Sequence, residues 1–176
     1  MNISKISECD IEENLSGEIE KILQSSFEGY PVGRTFFHQL PSFRVLGYEG
    51  KNLIGHLSVY HRVISSEGKF YEIFGIGDLC VKRDNQSTGV AGALIQFLEN
   101  QARKSEVNFL MLVTDVNEFY LKKGFVEAGN ICCWLMMQNN RSLGLVRRRL
   151  EGGFMYREVG KTSWPKSEID LLGHIF

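Results

Sequence analysis

The chain has 176 residues, of which 43% are hydrophobic and 23% charged, and its formal net charge is −1. These values are typical of a globular domain and argue against a disordered chain. The near-neutral charge argues against general binding to nucleic acid or to a membrane surface. No stretch approaches the roughly 18 apolar residues that a spanning helix needs. We therefore expect one domain over residues 1–176, with no nucleic-acid partner and no membrane partner.

The four cysteines favour free thiols over disulfides or a metal site. Cys9 and Cys80 are isolated, Cys132 and Cys133 are adjacent, and no Cys-x-x-Cys pair occurs. Adjacent residues of a strand point to opposite faces, whereas zinc requires convergent ligands. The N-terminus also lacks the apolar core of a secretory signal. The pattern indicates a reducing compartment, so we predict a cytoplasmic protein that holds no metal.

The first third of the chain predicts a helix followed by antiparallel strands. Residues 11–27 carry apolar residues at helical spacing with acids between them. Residues 30–40 are rich in aromatics and predict a loop or a short second helix that could line a pocket. Strands are expected at 43–48 and 53–64, because polar turns bound these two apolar segments.

A strand–helix–strand unit follows. Residues 70–81 are strand-like throughout, and the glycines at 75 and 77 predict a break or bulge that separates a third strand from a fourth. Residues 89–104 carry an apolar stripe at helical spacing, and 108–114 are continuously apolar, as in a buried central strand. Together these segments predict a βαβ crossover.

The remainder predicts a short helix and two closing strands. The helix spans 116–123 and ends at a glycine, and the strands cover 131–138 and 154–159. The basic, polar segment 139–153 is predicted as a loop, and the chain from 161 onwards as irregular. The element order indicates an α/β fold with a central mixed β-sheet flanked by helices.

A short polar turn joins the strand that ends at Val81 to the helix that follows it. The first N–H groups of a helix have no intrahelical partner, and the helix dipole adds roughly half a positive charge at this end. A pyrophosphate fits such a site, and a glycine lets it approach the main chain. Neither GxxxxGK[ST] nor GxGxxG joins a strand to a helix, which argues against a nucleoside triphosphatase and a dinucleotide site. The turn consists of Gln86, Ser87, Thr88, Gly89, Val90 and Ala91.

This turn resembles the pyrophosphate motif of the GNAT superfamily of acyl-CoA N-acyltransferases, Q/R-x-x-G-x-G/A, with Ala91 in place of the last glycine. The segment 78–81 is similar to the strand that precedes this motif, and 119–125 matches the second signature, FYxxxGF. The combined resemblance covers roughly residues 43–130. It implies the GNAT fold and acetyl-CoA as co-substrate. The cofactor-binding residues that it implies are Leu79, Cys80 and Val81, with main-chain N–H groups for the thioester carbonyl, and the turn 86–91.

Within the superfamily, the chain is most similar to aminoglycoside 2'-N-acetyltransferases and, less closely, to nodulation N-acyltransferases. This likeness rests on segments 43–48, 54–57 and 62–64, and on residues 163–164 and 170–171 near the C-terminus. It suggests an amine acceptor but does not identify one.

The resemblance implies direct attack of an amine on the thioester in a ternary complex. Tyr120 matches the tyrosine that protonates the leaving thiolate, and the alternative is an aromatic that only packs its helix. Asp78 is a candidate base, or else a surface acid at a sheet edge. His56 is a rival base, or else a structural strand histidine. The C-terminal carboxylate of Phe176, or ordered water, could also take the proton.

The leading functional prediction is an N-acetyltransferase that acts on the primary amine of a small molecule. Two alternatives stay open: a longer-chain acyltransferase that uses acyl-CoA or acyl-carrier protein, and a non-catalytic domain that senses coenzyme A. A homodimer is also left open, because the sequence carries no information on oligomeric state.

Overall fold

A computed structural model describes residues 1–150 and 153–176, and within them it contains three α-helices and ten strands. The helices are α1 (Glu13–Ser26), α2 (Val90–Lys104) and α3 (Asn117–Leu121). The strands are β1 (Asn2–Ser7), β2 (Phe43–Glu49), β3 (Asn52–Ser66), β4 (Lys69–Val81), β5 (Phe109–Val113), β6 (Val126–Glu127), β7 (Ile131–Gln138), β8 (Arg141–Arg149), β9 (Phe154–Glu158) and β10 (Ile169–His174). No helix in the described ranges is both long and apolar enough to cross a bilayer.

The residues group into two units by their contacts. The first unit comprises Met1–Tyr60 and Ile76–Asn100, and the second comprises His61–Gly75 and Gln101–Phe176. Strands β3 and β4 contribute residues to both units, so each unit has its own β-sheet segment and its own apolar core.

In the first unit, α1 packs its apolar face on the sheet. Ile19, Ile22 and Leu23 are fully buried, and they form one cluster with Leu46 of β2 and Leu53 of β3. Ile22 and Leu23 follow Ile19 by three and four positions, so all three lie on a single face of the helix. This spacing is why the segment forms an amphipathic helix. Strand β2 pairs antiparallel with both β1 and β3.

Helix α2 approaches the same sheet closely at a glycine. A Cβ at Gly55 of β3 would lie 2.7 Å from Cγ1 of Val90 and 3.1 Å from Cδ1 of Leu94. Both distances are below normal van der Waals contact, so any larger residue would force the side chains of Val90 and Leu94 to shift. This contact fixes the start of α2, where the predicted phosphate-binding turn ends.

In the second unit, the strands lie in the order β6-β9-β5-β4-β3-β10-β7-β8. Strand β10 pairs parallel with β7, whereas β5 and β6 each pair antiparallel with β9, and β7 with β8. The core of this unit includes Phe109, Met111, Trp134 and Phe154. Parallel and antiparallel pairs together confirm the predicted α/β fold with a mixed sheet.

The three predicted helices are confirmed as α1, α2 and α3, and six predicted strand segments overlap β2, β3, β4, β5, β7 and β9. The prediction of two strands within 70–81 is wrong, because β4 runs unbroken from Lys69 to Val81. The main chain is irregular at Asp78 instead, where φ is +48°. Segment 30–40 forms a loop, which was one of the two predicted alternatives.

Two further predictions are wrong. The segment 139–153 was expected to be a loop, but most of it forms β8, and residues 151–152 lie outside the described ones. Strand β8 is at the end of the strand order and is almost wholly exposed, so it lacks the apolar alternation by which a half-buried strand is recognised. The C-terminal stretch, expected to be irregular, contains β10, and the short, partly exposed β1 was not anticipated.

We predict that Gly55→Ala lowers the free energy of unfolding by about 1–3 kcal/mol, because its methyl group would overpack against Val90 and Leu94. Gly17→Ala is the matched control. Gly17 lies inside α1, and an added Cβ there meets no described atom within 4 Å. This change should stabilise the protein by about 0.5–1 kcal/mol, the helix preference of alanine over glycine. Urea denaturation of both variants measures the difference, and a neutral Gly55→Ala would contradict the packing argument.

Candidate functional site

The turn that carries the predicted phosphate site lies in the first unit, between a short 3-10 turn (Arg83–Asn85) and α2. Ser87 and Gly89 have left-handed φ values of +61° and +93°. The hydroxyl of Thr88 donates to the carbonyl of Asn85 at 2.6 Å, and the side-chain amide of Gln86 donates to the carbonyl of Val81 at 3.3 Å. Side chains thus hold the turn, and left-handed residues are typical of concavities lined by main-chain N–H groups.

The start of α2 leaves its first N–H groups without intrahelical acceptors. Ala93 donates its N–H to the carbonyl of Gly89 at 3.0 Å, which is the first turn of the helix. The N–H groups of residues 90–92 lie before this first bond, so they have no intrahelical acceptor, as at the start of every α-helix. A Cβ built at Gly89 meets no described atom within 4 Å, so the space above the turn is open. An anion can therefore approach the main chain at this position.

A groove with an excess of basic residues lies beside the chain that leads into this turn. Its volume is about 460 Å³. Four cations and two acids line it: Lys21, Lys51, Lys82, Arg83, Glu18 and Asp84. The excess of positive charge favours an anionic ligand in this region of the first unit.

The strand before the turn ends with Leu79, Cys80 and Val81. Cys80 and Val81 are only 7% and 9% exposed, and Cys80 belongs to the cluster beneath α1. Burial raises the pKa of the Cys80 thiol to about 12, so this thiol is neutral and unreactive at physiological pH. The N–H of the next residue, Lys82, donates to the carbonyl of Ile54 at 2.9 Å, which keeps β4 paired with β3 up to the turn.

Asp78 is a half-buried carboxylate at the irregular point of β4. Its Oδ2 accepts hydrogen bonds from the hydroxyl of Tyr30 at 3.1 Å and from that of Ser58 at 3.3 Å. Burial raises the pKa of Asp78 above its ordinary value, while the two hydroxyls and the charge of Arg44 act against the rise. A carboxylate with a raised pKa and fixed hydrogen-bond donors has the character of a general base.

His56 is fully buried on β3, and both of its ring nitrogens are engaged. Its Nε2 lies 2.9 Å from Nη1 of Arg44, and its Nδ1 lies 2.9 Å from the main-chain carbonyl of Asp78. Burial, reinforced by the guanidinium, lowers the pKa of His56 to about 3. The ring is therefore neutral at physiological pH.

Arg44 has no exposure to solvent, although it is a charged residue on β2. Its Nε and Nη2 donate to the two carboxylate oxygens of Glu8 at 2.7 and 2.8 Å, and Nη2 also donates to Thr35 at 3.1 Å. Its Nη1 lies 2.9 Å from Nε2 of His56 and donates to the hydroxyl oxygen of Ser58 at 3.5 Å. A bidentate ion pair with further polar partners is the arrangement in which a buried guanidinium is stable.

Tyr120 lies in the second unit, on α3, and is 7% exposed. Its ring packs edge-on against Phe119 and Phe125, with centroids 5.0 and 5.5 Å away. Burial raises the pKa of its phenol to about 12, so the hydroxyl is protonated at neutral pH. Its carbonyl accepts the N–H groups of Lys123 and Phe125, which closes α3.

Phe176, whose carboxylate was a further candidate base, also lies in the second unit. Its ring covers Gly75 of β4, where an added Cβ would lie 2.6 Å from it. Arg62 donates to the carbonyl of Leu171 at 2.8 Å and holds the last strand in place.

The sequence reasoning missed Arg44 and Ser58, and it gave Tyr30 only as one of several pocket aromatics. One signal could have pointed to Arg44: it is a charged residue inside the apolar strand Phe43–Glu49, where burial demands a partner. No comparable signal marks Ser58. Within the described part of the chain, no cluster of three or more His, Cys, Asp or Glu side chains could hold a metal ion.

Comparison with known structures finds the same fold at low identity. The GNAT family N-acetyltransferase YhbS of Escherichia coli, solved with CoA, has a TM-score of 0.67 at 13% identity over 97% of this chain and 88% of that one. A GNAT family acetyltransferase from Brucella melitensis, solved with acetyl-CoA, has a TM-score of 0.60 at 15% identity, over 96% and 94%. Eis1 from Mycobacterium abscessus has a TM-score of 0.61 at 12% identity, and this chain spans 31% of its length.

A search of curated proteins finds no significant match. A family model described as acetyltransferase (GNAT) domain matches residues 21–128, which is more than half of the chain. That range contains the turn at 86–91, Asp78 and Tyr120. The chain therefore belongs to the acetyltransferase (GNAT) domain family of acyltransferase enzymes.

Proposed function

We propose that this protein is an N-acetyltransferase that moves the acetyl group of acetyl-CoA to the primary amine of a small molecule. The amine nitrogen attacks the thioester carbonyl, a C–N bond forms, and the C–S bond breaks. The amine loses one proton and the leaving thiolate gains one. The single observation that carries the proposal is the open, left-handed turn at the start of α2, with its main-chain N–H groups ahead of the first helical bond.

This turn suits the diphosphate of coenzyme A. Main-chain N–H groups at a helix start offer donors and a favourable dipole without a dedicated lysine. The cations of the neighbouring groove add long-range attraction for an anionic ligand. Two matched GNAT structures were solved with CoA or acetyl-CoA, which supports the same co-substrate for this chain. N–H groups of the segment 79–81 are proposed to receive the thioester carbonyl, as the family resemblance implies.

We assign the base role to Asp78. Its carboxylate has fixed donors on one oxygen, and its raised pKa brings its basicity closer to neutral pH. His56 is a poorer candidate, because both of its nitrogens are already engaged. We therefore propose that Asp78 takes the proton of the attacking amine.

We assign the acid role to Tyr120. At a pKa of about 12, its hydroxyl keeps its proton at neutral pH and can act as a hydrogen-bond donor. The thiolate that develops as the C–S bond breaks is its proposed hydrogen-bond acceptor. The ordinary pKa of a thiol, ~8.5, makes complete transfer uphill, so the hydrogen bond in the transition state is the main contribution.

The acceptor is proposed to be a small, soluble amine, and the protein to act in the cytoplasm, where its four free cysteines would stay reduced. The sequence resemblance to aminoglycoside 2'-N-acetyltransferases makes aminoglycosides the first amines to test. Polyamines, amino acids and peptide N-termini complete the panel.

The first test of the proposed function concerns coenzyme A binding. Gly89→Ala places a methyl group in the open space of the turn, at a φ of +93° that alanine disfavours. We expect the Kd for coenzyme A, measured by calorimetry, to rise at least about tenfold, since both phosphate approach and turn geometry suffer. Pantetheine, which lacks the diphosphate, should bind both proteins equally.

Gly29→Ala is the matched control for main-chain strain. Gly29 also has a left-handed φ, +72°, and open space around it, but it lies outside the turn. Its coenzyme A affinity should equal that of the wild type. Equal weakening by both alanine variants, or no uptake of coenzyme A by the wild type, would remove the basis of the enzymatic proposal.

The second test concerns the acid together with the activity. Across the amine panel, the wild type should release free thiol from acetyl-CoA with at least one amine. Tyr120→Phe should lower kcat for that amine about 100-fold and leave the Kd for coenzyme A within about twofold, because only the phenolic proton is lost. The control is Tyr156→Phe, which removes the phenolic hydroxyl of a tyrosine that stacks on Trp164.

Two outcomes would contradict this prediction. Equal kcat values for the wild type and Tyr120→Phe would remove Tyr120 from the mechanism. Coenzyme A binding without thiol release from any amine, repeated with longer acyl-CoA and acyl-carrier protein, would favour the coenzyme-sensing alternative.

The third test concerns pH. Asp78 must be ionised to act as a base, and its pKa is raised, so kcat/KM should fall as the pH drops through that raised pKa. Asp78→Asn should lower kcat/KM at neutral pH about 100-fold and abolish this fall of kcat/KM at low pH. Asp10→Asn removes an exposed carboxylate outside the basic groove and should leave the profile unchanged. An Asp78→Asn profile identical to that of the wild type would show that the base lies elsewhere.

A further inference from the structure

We propose that Arg44 and His56 are positioning residues: Arg44 locks His56 as the neutral Nδ1–H tautomer, and the locked ring fixes the main chain of Asp78. The inference rests on the proposed function in that it concerns the residue assigned as the base. It goes beyond that function, because neither Arg44 nor His56 touches the reacting atoms in this role.

The hydrogen-bond partners of His56 determine its tautomer. A guanidinium has only donors, so the Nε2 atom that faces Arg44 at 2.9 Å must accept. A carbonyl oxygen only accepts, so the Nδ1 atom that faces Asp78 at 2.9 Å must carry the proton. The ring then has one proton, on Nδ1. A second proton would break the contact with Arg44.

Hydrogen bonds from its other donors hold Arg44 in place. Glu8 binds it through two carboxylate oxygens at 2.7 and 2.8 Å, and Thr35 accepts from Nη2 at 3.1 Å. The side chain is fully buried, so water cannot replace these partners. The guanidinium is thus a rigid donor that presents Nη1 to β3.

Two paths lead from Arg44 to Asp78. The first runs through His56 to the main-chain carbonyl of Asp78. The second runs through Ser58, which lies 3.5 Å from Arg44 and donates to the Asp78 carboxylate at 3.3 Å. Asp78 has a left-handed φ of +48°, which persists in a strand only where the surroundings hold it. The two paths supply that constraint, one at the main-chain carbonyl of Asp78 and the other at its carboxylate.

The charged and titratable groups around Asp78 come from several elements. Tyr30 precedes β2, Tyr60 and His56 lie on β3, Cys80 on β4 and Arg44 on β2, with Glu8 behind Arg44. Arg44 is the cation of this group that lowers the pKa of Asp78. Loss of its charge should therefore shift the carboxyl titration to higher pH.

The test begins with the His56 ring, independently of any activity. In protein labelled with ¹⁵N on histidine, the ring of His56 should be neutral and protonated on Nδ1 from pH 8 down to pH 5. Protonation on Nε2, or a charged ring at pH 5, would overturn the proposal. His56→Asn keeps a donor near the position of Nδ1 and identifies the signal.

The second measurement follows the Asp78 carboxyl carbon by ¹³C NMR, along with kcat/KM. In Glu8→Gln/Arg44→Gln, which removes both charges of the buried pair, we expect the titration of Asp78 to move to higher pH. We also expect kcat/KM to fall about 10- to 100-fold, mainly in kcat, because a small misplacement of a catalytic group costs this much. His56→Asn should retain more activity than His56→Leu, since only the asparagine can donate to the Asp78 carbonyl.

Two controls separate an effect at Asp78 from a general effect of lost charge or lost stability. Arg147→Gln/Glu168→Gln removes an exposed ion pair in the second unit, and Asn130→Ala removes a buried polar side chain there. Neither should shift the Asp78 titration. An unchanged titration in Glu8→Gln/Arg44→Gln, or equal kcat/KM for His56→Asn and His56→Leu, would overturn the positioning role. A shifted titration with unchanged kcat/KM would show only the loss of the Arg44 charge; it would contradict the assignment of Asp78 as the base and leave the His56 tautomer to decide the positioning role.

Discussion

A guanidinium that is cut off from water must find acceptors for its donors within the protein, and Arg44 imposes this requirement on the first unit. Its partners come from the short 3-10 helix that follows β1, from the loop before β2 and from β3. None of these segments can shift alone without leaving a buried donor or acceptor unpaired, which costs more than a hydrogen bond contributes. The polar network therefore specifies the arrangement of these elements, while the apolar cluster beneath α1 supplies most of the driving force.

The sequence predicted the fold class and most of the elements, because periodic apolar spacing is a local signal. Helices α1 and α2 and the buried strand β5 carry that signal strongly. Strand β8 carries none, since an exposed edge strand needs no apolar face and its arginines resemble those of a loop. The glycines at 75 and 77 suggested a break in β4 that does not exist. The strand instead runs unbroken between β3 and β5, and the irregularity falls on Asp78, a residue type for which no break was expected.

The distinction between local sequence signals and long-range contacts also applies to the candidate functional site. The turn at 86–91 could be predicted because it is contiguous in sequence and because main-chain N–H groups do the proposed binding. The surroundings of Asp78 could not, because they bring together residues far apart in the chain: Tyr30 is 48 positions away and Ser58 is 20. A binding site made of main-chain groups specifies few side chains, which is consistent with a shared fold at 12–15% identity.

His56 illustrates why the contacts of a residue, rather than its type, decide its role. A histidine is the usual choice for a proton acceptor near neutral pH, yet here one nitrogen faces a permanent donor and the other a permanent acceptor. To act as a base, the ring would have to release Arg44 and take up a charge in a fully buried position beside a guanidinium. The carboxylate of Asp78 has a second oxygen for which no protein donor is found among the described residues, and it is only half buried. Asp78 can thus accept a proton without breaking the network, which is why the base role is proposed for the carboxylate and the positioning role for the imidazole.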